Sequence, residues 1–252
     1  SAASDVYKRQ VRTYRDEAVV LRTWKLGEAD RIISLFTREH GKVRAVAKGI
    51  RRTGSKFGSR LEPFGHVDVQ LAEGRGTLVT VTQAESLHPP LLGADYERFC
   101  AAQVLVEAAD RLVAEDGVPS VPQYRLLLGG LLALDRGELP LAAVVDSYLL
   151  RGLASAGWAA MTDACVSCGT TEQLRWFSPQ LGGAVCPVCR PPASASASPE
   201  LLSLLGALLA GQWEVIRKAG PPLRNRAHGV VAAYATWHLD RSLRSLPFLG
   251  AS

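Results

Sequence analysis

No part of this 252-residue sequence is apolar for long enough to span a membrane, which takes ~18 residues or more. The richest stretch, Leu201 to Ala210, is short and interrupted by Ser203. The first residues also lack the charged, apolar and cleavage-site progression of a secretory leader, so a cytoplasmic protein with no membrane partner is expected. There is no phosphate-cradling G-x4-G-K-[ST] and no strand-borne G-x-G-x-x-G, because Gly74-Arg75-Gly76 reads as part of a hairpin turn. G-x-S-x-G, H-E-x-x-H and the H-x-E of the deaminases are missing too, and Cys186-Pro187-Val188-Cys189 only superficially resembles the tail of that last signature, with cysteine and proline reversed. The five histidines, His40, His66, His88, His228 and His238, are scattered, with no carboxylate or nucleophile partner evident in sequence; they read as turn, surface or packing residues. No catalyst can be named, and a non-enzymatic protein is expected.

With 47% hydrophobic and 21% charged residues and a mean hydropathy of +0.06, the composition is that of a globular chain. Its length suits one or two domains. Residues 1–12 share no pattern with the rest of the chain and are read as a disordered or non-native extension. The net charge of +5 is unevenly spread: residues 1–90 carry 16 Lys and Arg against 10 Asp and Glu, and residues 91–252 carry 13 against 14. Within the basic part, Lys42, Arg44, Lys48, Arg51, Arg52, Lys56 and Arg60 succeed one another with no acidic residue between them. Such a field suits a phosphate backbone. Charge alone equally allows a solvated loop that keeps the protein soluble.

From Glu17 to Gln83 short β-branched segments alternate with turns: Ala18 to Trp24, Ile32 to Thr37, Val43 to Lys48, Val67 to Ala72 and Leu78 to Gln83. Val67, Val69 and Leu71 alternate with Asp68 and Gln70, the period of a half-buried strand, and Glu73-Gly74-Arg75-Gly76 joins it to the next as a hairpin. Five strands suit an OB-fold, the small barrel used for oligonucleotides, although an SH3-like barrel leaves nearly the same trace. After His88-Pro89-Pro90 the pattern becomes helical, with Tyr96, Phe99, Cys100 and Val104, then Tyr124, Leu127, Leu128 and Leu131, then Leu141, Val144, Val145 and Tyr148. Pro191 to Ser198 reads as a small-residue linker. Ser198-Pro199-Glu200 is a helix start with a capping hydroxyl, a first-turn proline and an acid at the positive dipole end. Leu201, Leu204, Leu205 and Leu208 give this helix an apolar face, and Val230, Val231, Tyr234, Trp237 and His238 do so for the last helix.

Between these helices, Cys165, Cys168, Cys186 and Cys189 form C-x2-C, 17 residues, C-x2-C. That spacing is typical of a tetrahedral Zn2+ site. Disulfides or free thiols are the alternative, but no feature argues for an oxidising compartment. Four thiolates close the coordination shell, so one structural zinc ion is expected rather than a catalytic one. Leu174, Trp176 and Phe177 are expected to pack this ribbon rather than stack on bases, and Cys100, on an apolar helix face, to be a core residue.

Val19-Val20-Leu21-Arg22, Glu28-Ala29-Asp30-Arg31, Leu35-Phe36-Thr37, Gly41-Lys42, Ala47 to Arg52, Ser55 and Pro63-Phe64 resemble, in order and spacing, the front end of the RecO recombination-mediator family. The resemblance runs on through the cysteine pairs to Tyr234, His238-Leu239 and Leu243-Arg244-Ser245-Leu246-Pro247-Phe248-Leu249. It implies an α+β protein: a five-stranded OB-fold DNA-binding domain at 13–88, then a helical domain at 89–252 with a four-cysteine zinc ribbon inserted at 163–190. It further implies a nucleoid-associated DNA repair factor that binds single- and double-stranded DNA and anneals complementary strands. With RecR, such a factor promotes RecA loading on DNA coated by single-stranded-DNA-binding protein, and it contacts that protein's C-terminal tail. The DNA-binding residues expected here are Lys42, Arg44, Lys48, Arg51, Arg52, Lys56 and Arg60, on a strand and a flexible Gly49–Gly58 arm, with Phe57 either stacking on a base or plugging the barrel. A zinc-ribbon interaction protein and a metal-dependent nucleic-acid enzyme are the competing readings.

Overall fold

The computed structural model describes residues 12–74, 76–89, 96–113, 115–239, 243 and 245–246. The expected extension up to residue 11, Arg75 of the hairpin turn, Pro90, and Arg244 and Pro247–Leu249 of the closing motif lie outside the described residues. The chain forms two compact units, one built on the strands together with Glu115–Ser120, the other on the helices and the cysteine segment.

Five strands make the first unit: β1 (Thr13–Leu26), β2 (Asp30–Thr37), β3 (Gly41–Ala47), β4 (His66–Ala72) and β5 (Val79–His88). They close as β1-β2-β3-β5-β4, with β1 also pairing β4 and with a parallel β3–β5 contact. This connectivity is that of the OB-fold and resolves the SH3-like alternative. Alternation along the strands fills the cylinder with Ala18, Val20, Ile33, Leu35, Ala45, Ala47, Val67, Val69, Leu71 and Val81. A bulge between Val20 and Arg22 resets the phase of β1, so Arg22 pairs with Ser34 and Trp24 with Ile32, while Thr23 pairs with the core residue Ile33.

The 48–65 connection between β3 and β4 is a run of turns that packs Ile50, Phe57 and Leu61 into one end of the cylinder. Hydrogen bonds Arg52 N to Gly49 O, Ser55 N to Arg52 O and Arg60 N to Phe57 O hold it in place. The flexible arm expected from Gly49, Gly54 and Gly58 is therefore a packed cap; those glycines supply the positive φ that its turns require. Glu115–Ser120 lies against β3, where Gly117 N donates to Lys42 O, and a Cβ on Gly41 would fall 2.1 Å from Val118 O.

In the second unit, α1 (Tyr96–Leu112), α2 (Val121–Arg136), α4 (Pro199–Ala210) and α6 (Pro221–His238) pack around α3 (Leu141–Ser155), which is buried over most of its length. Cys100 is buried, as its helix face implied. Ser198 Oγ accepts from Leu201 N at 3.3 Å, and Pro199 opens α4 as expected. A short α5 (Trp213–Lys218) has no counterpart in the sequence expectation, because its six residues are too few to display a period. Inside this unit β6 (Trp176–Ser178), β7 (Gly183–Val185) and β8 (Ala195–Ser196) form a three-stranded sheet. The expected linker thus supplies a strand: Ala195 and Ser196 pair with Phe177 and Trp176 through backbone bonds that need no large side chain. Among the described residues no helix is long and apolar enough to cross a membrane.

Candidate metal centre and nucleic-acid interface

Two knuckles carry the cysteines. In the first, Gly169 N donates to Cys165 O and Cys165 N to Thr170 O, with Gly169 at φ +74° closing the turn. The four Sγ atoms lie within 4.8 Å of one another, and Cys168 and Cys186 are 3.8 Å apart. A tetrahedral shell with ~2.3 Å metal–sulfur bonds has sulfur–sulfur edges of ~3.8 Å, so the donors fit such an ion. Burial raises the Cys165 thiol, but N–H groups of Cys186, Cys168 and Ser167 outweigh it and bring the value down to about 6. Cys189 is pushed up to about 12 by its hydrogen bonds to the Cys168 and Cys186 sulfurs. One thiolate forms readily and the next is resisted, as in a sulfur cluster that needs a cation before all four ligands can ionise. Phe177 is buried and meets Tyr234 of α6 edge-on at 5.7 Å, while Arg190 covers Trp176 at 4.7 Å. Trp176 thus packs within the ribbon, as expected, and Phe177 ties it to α6.

The basic residues divide into two groups. On β3, Val43, Ala45 and Ala47 face the core, so Lys42, Arg44 and, one step beyond, Lys48 fall on the outer face. Lys42 and Arg44 share Asp116, at 3.7 and 3.2 Å. Asp116 is 72 positions from Arg44 in sequence, so the apparently uninterrupted charge run is partly neutralised from a distance. The other group belongs to the cap. Arg51 donates to Gly27 O at the β1–β2 turn, Lys56 to Thr82 O on β5, and Arg60 to Lys56 O. Lys48, Arg51, Arg52, Lys56 and Arg60 are all exposed, and none is ion-paired among the described residues.

Phe57 is 1% exposed, sealed in the barrel end under the Lys56 ammonium at 5.0 Å. Of its two expected roles the plug holds and base stacking does not. The gaps between Ile50, Phe57 and Leu61, seven and then four residues, follow no strand period, and only their common burial reveals the cap. An exposed aromatic that sequence reasoning passed over, Trp24, stands on the same outer face as Arg44 at 46% exposure. Three histidines have carboxylate partners among the described residues. His40 Nδ1 is 2.6 Å from Asp16 Oδ2, His228 Nδ1 is 2.8 Å from Asp146 Oδ1, and His66 Nε2 is 3.9 Å from Glu17 Oε2, with none of these carboxylates adjacent in sequence. Burial raises Asp146 against the opposing hydrogen bond of His228, and that same hydrogen bond raises His228 against burial.

A groove of about 590 Å3 lies among α2, α3 and α5. Arg125, Arg136, Arg151 and Arg217 line it beside Glu138, Leu126 and Trp213, with Arg217 paired to Glu214 at 2.7 Å, and the buried Tyr148 hydroxyl on its wall has no hydrogen-bond partner among the described residues.

Comparison with known proteins places both units. Residues 11–90 match the family profile described as recombination protein O N terminal, and residues 93–247 match recombination protein O C terminal. The chain is 57% identical over 241 residues to a DNA repair protein RecO of Nocardioides sp., covering 94% of this chain and 98% of that protein. It is 53% identical over 243 residues to the DNA repair protein RecO of Cutibacterium acnes and 49% over 244 residues to that of Streptomyces coelicolor, with 94% of this chain and 98% of each relative covered. The OB barrel, the helical unit and the four-cysteine ribbon are accordingly those of a chain that belongs to the recombination protein O family of DNA repair proteins.

Proposed function

We propose that this protein is a non-catalytic recombination mediator that binds single- and double-stranded DNA and anneals complementary strands. The observation that carries this reading is the exposed set Lys48, Arg51, Arg52, Lys56 and Arg60, with no ion-paired carboxylate among the described residues and carried by a cap that Ile50, Phe57 and Leu61 pack into the barrel end. Cations at fixed positions neutralise phosphates without reading bases, so the binding is sequence-tolerant and leaves base edges available for pairing. Lowering the repulsion between two like-charged strands requires no proton transfer and no nucleotide.

The metal is a single Zn2+, held by Cys165, Cys168, Cys186 and Cys189. It supplies a structural cross-link between the knuckles, with no open coordination position for water. The arginine-lined groove of the helical unit, with apolar walls and an unpaired tyrosine hydroxyl, suits a chain end that combines carboxylates with an apolar side chain. The C-terminal tail of single-stranded-DNA-binding protein is the partner we assign to it. RecR joins this protein in loading RecA.

The test is annealing of complementary strands coated with single-stranded-DNA-binding protein, with and without RecR and without ATP. We expect acceleration that is lost when Arg51, Arg52 and Lys56 are reversed to Glu. No acceleration in either arm, or full activity in the triple reversal, would remove the mediator reading. Covalent change of the DNA would replace it with an enzyme.

A further inference from the structure

Trp24 occupies a position that the fold does not need for its core. The bulge after Val20 turns its side chain outward, and cross-strand pairing sets it beside Ile32, which in turn pairs with Val46. These three form one rung across the outer face of β1, β2 and β3, with Trp24 and Val46 two strand spacings, ~10 Å, apart. Arg22, Ser34 and Arg44 make the adjacent rung. Along β3, Lys48 comes after Val46 on the same face. Beyond Trp24 the strand leads to Gly27, whose carbonyl accepts from Arg51. An exposed indole is thus bordered by cations on two sides, and no aromatic ring or cation stacks on it among the contacts of the described residues.

We infer that Trp24 is a stacking platform for an unpaired base of a single strand whose phosphates lie on Lys48 and Arg51. The occupant is set by charge complementarity: a flat apolar surface among cations fits a polyanion that carries aromatic rings. A duplex keeps its bases stacked inside and offers only phosphates, so Trp24 selects single strands where the cap does not. This inference rests on the DNA-binding reading above and assigns it a specificity-determining residue.

The test uses the full chain and three labelled probes of equal length: oligo-dT, an abasic strand and a duplex. Trp24→Ala is expected to weaken oligo-dT binding by about 5- to 150-fold, the range for losing one base–aromatic stack. Abasic-strand and duplex binding should stay as in the unsubstituted protein, and Trp24→Phe should restore most of the oligo-dT affinity. Equal losses on all three probes would mean that Trp24 only supports the fold, and unchanged oligo-dT binding would mean that no base reaches it; either result overturns the inference. If the Arg51, Arg52 and Lys56 reversal still abolishes binding while Trp24→Ala does nothing, the DNA-binding reading stands and the platform alone falls. An unsubstituted protein that retains none of the probes removes both.

Discussion

Neutralising one acidic residue should strengthen DNA binding. The Asp116 carboxylate holds Arg44 at 3.2 Å and Lys42 at 3.7 Å, occupying two of the seven cations that the sequence strings together from Lys42 to Arg60. Asp116→Asn removes the charge that pairs with both. Each cation that neutralises a phosphate of a single strand adds roughly −0.7 to the slope of log affinity against log salt. The slope should therefore steepen by between ~0.7 and ~1.4, with Arg44 contributing more because Lys42 is 12% exposed and Arg44 62%. Between 50 and 200 mM salt the upper figure corresponds to roughly a sevenfold larger loss of affinity than in the unsubstituted protein. The fold should tolerate the change, since half-exposed pairs of this kind contribute ~0–1 kcal/mol. The hydrogen bond from Gly117 N to Lys42 O also keeps the 115–120 segment against β3. Fluorescence anisotropy of labelled oligo-dT across a salt series measures slope and affinity together. A slope equal to that of the unsubstituted protein, in a protein of unchanged melting temperature, would mean that phosphates never reach the outer face of β3. The interface would then shrink to the cap.

Phe57→Ala empties the sealed end of the barrel and should cost about 3–5 kcal/mol in urea unfolding while the folded fraction keeps its DNA affinity; the opposite pattern would restore a stacking role. Cys186→Ser should abolish retention of one zinc ion per chain, measured by native mass spectrometry, and retention of the full complement would contradict a four-thiolate site. His228 is held above its ordinary value by its hydrogen bond to Asp146, so the stability it contributes is complete below ~6.5 and is lost as pH rises through its folded value. Asp146, raised by burial, acts with the same sign at lower pH. The thermal-stability advantage of the unsubstituted protein over His228→Gln should thus shrink from pH 6 to pH 8, and an advantage that grows over this range would refute the pairing.

What could be read from the sequence was whatever depends on short spacing. The cysteine pairs needed only their two-residue gaps and the 17-residue excursion, and the OB strands needed only alternation, as in Val67, Val69 and Leu71. What could not be read depends on partners brought from afar. The charge run from Lys42 to Arg60 looks uniform until Asp116 arrives across 72 positions to take up two of its members. The glycines of the cap look like a flexible arm until Ile50, Phe57 and Leu61 are seen to share one cavity end. Trp24 reads as an ordinary apolar strand residue because a bulge three positions earlier, invisible to a period-two count, turns it outward.

On the proposed annealing reading, the packed cap and the outward Trp24 divide the contacts made with a strand between them. A flexible cationic arm would track the phosphates of any strand and lose conformational entropy each time it bound. A cap anchored by three buried apolar residues has already lost that entropy on folding, so on the proposed reading its cations are presented to the backbone from a preformed loop. With Phe57 buried, the cap contributes charge and no ring, and the aromatic surface of this face stands on β1 instead. On the proposed reading, phosphate contact and base contact are therefore separable by substitution: charge reversals in the cap should weaken single strands and duplexes alike, whereas Trp24→Ala should weaken single strands alone. Annealing would then depend on both, because a strand held only by phosphates is free to collapse on itself, and one whose bases are splayed on a ring is presented for pairing. The rate of annealing in Trp24→Ala at saturating protein should fall even where the amount of bound backbone does not, and an unchanged rate under those conditions would show that charge neutralisation alone suffices.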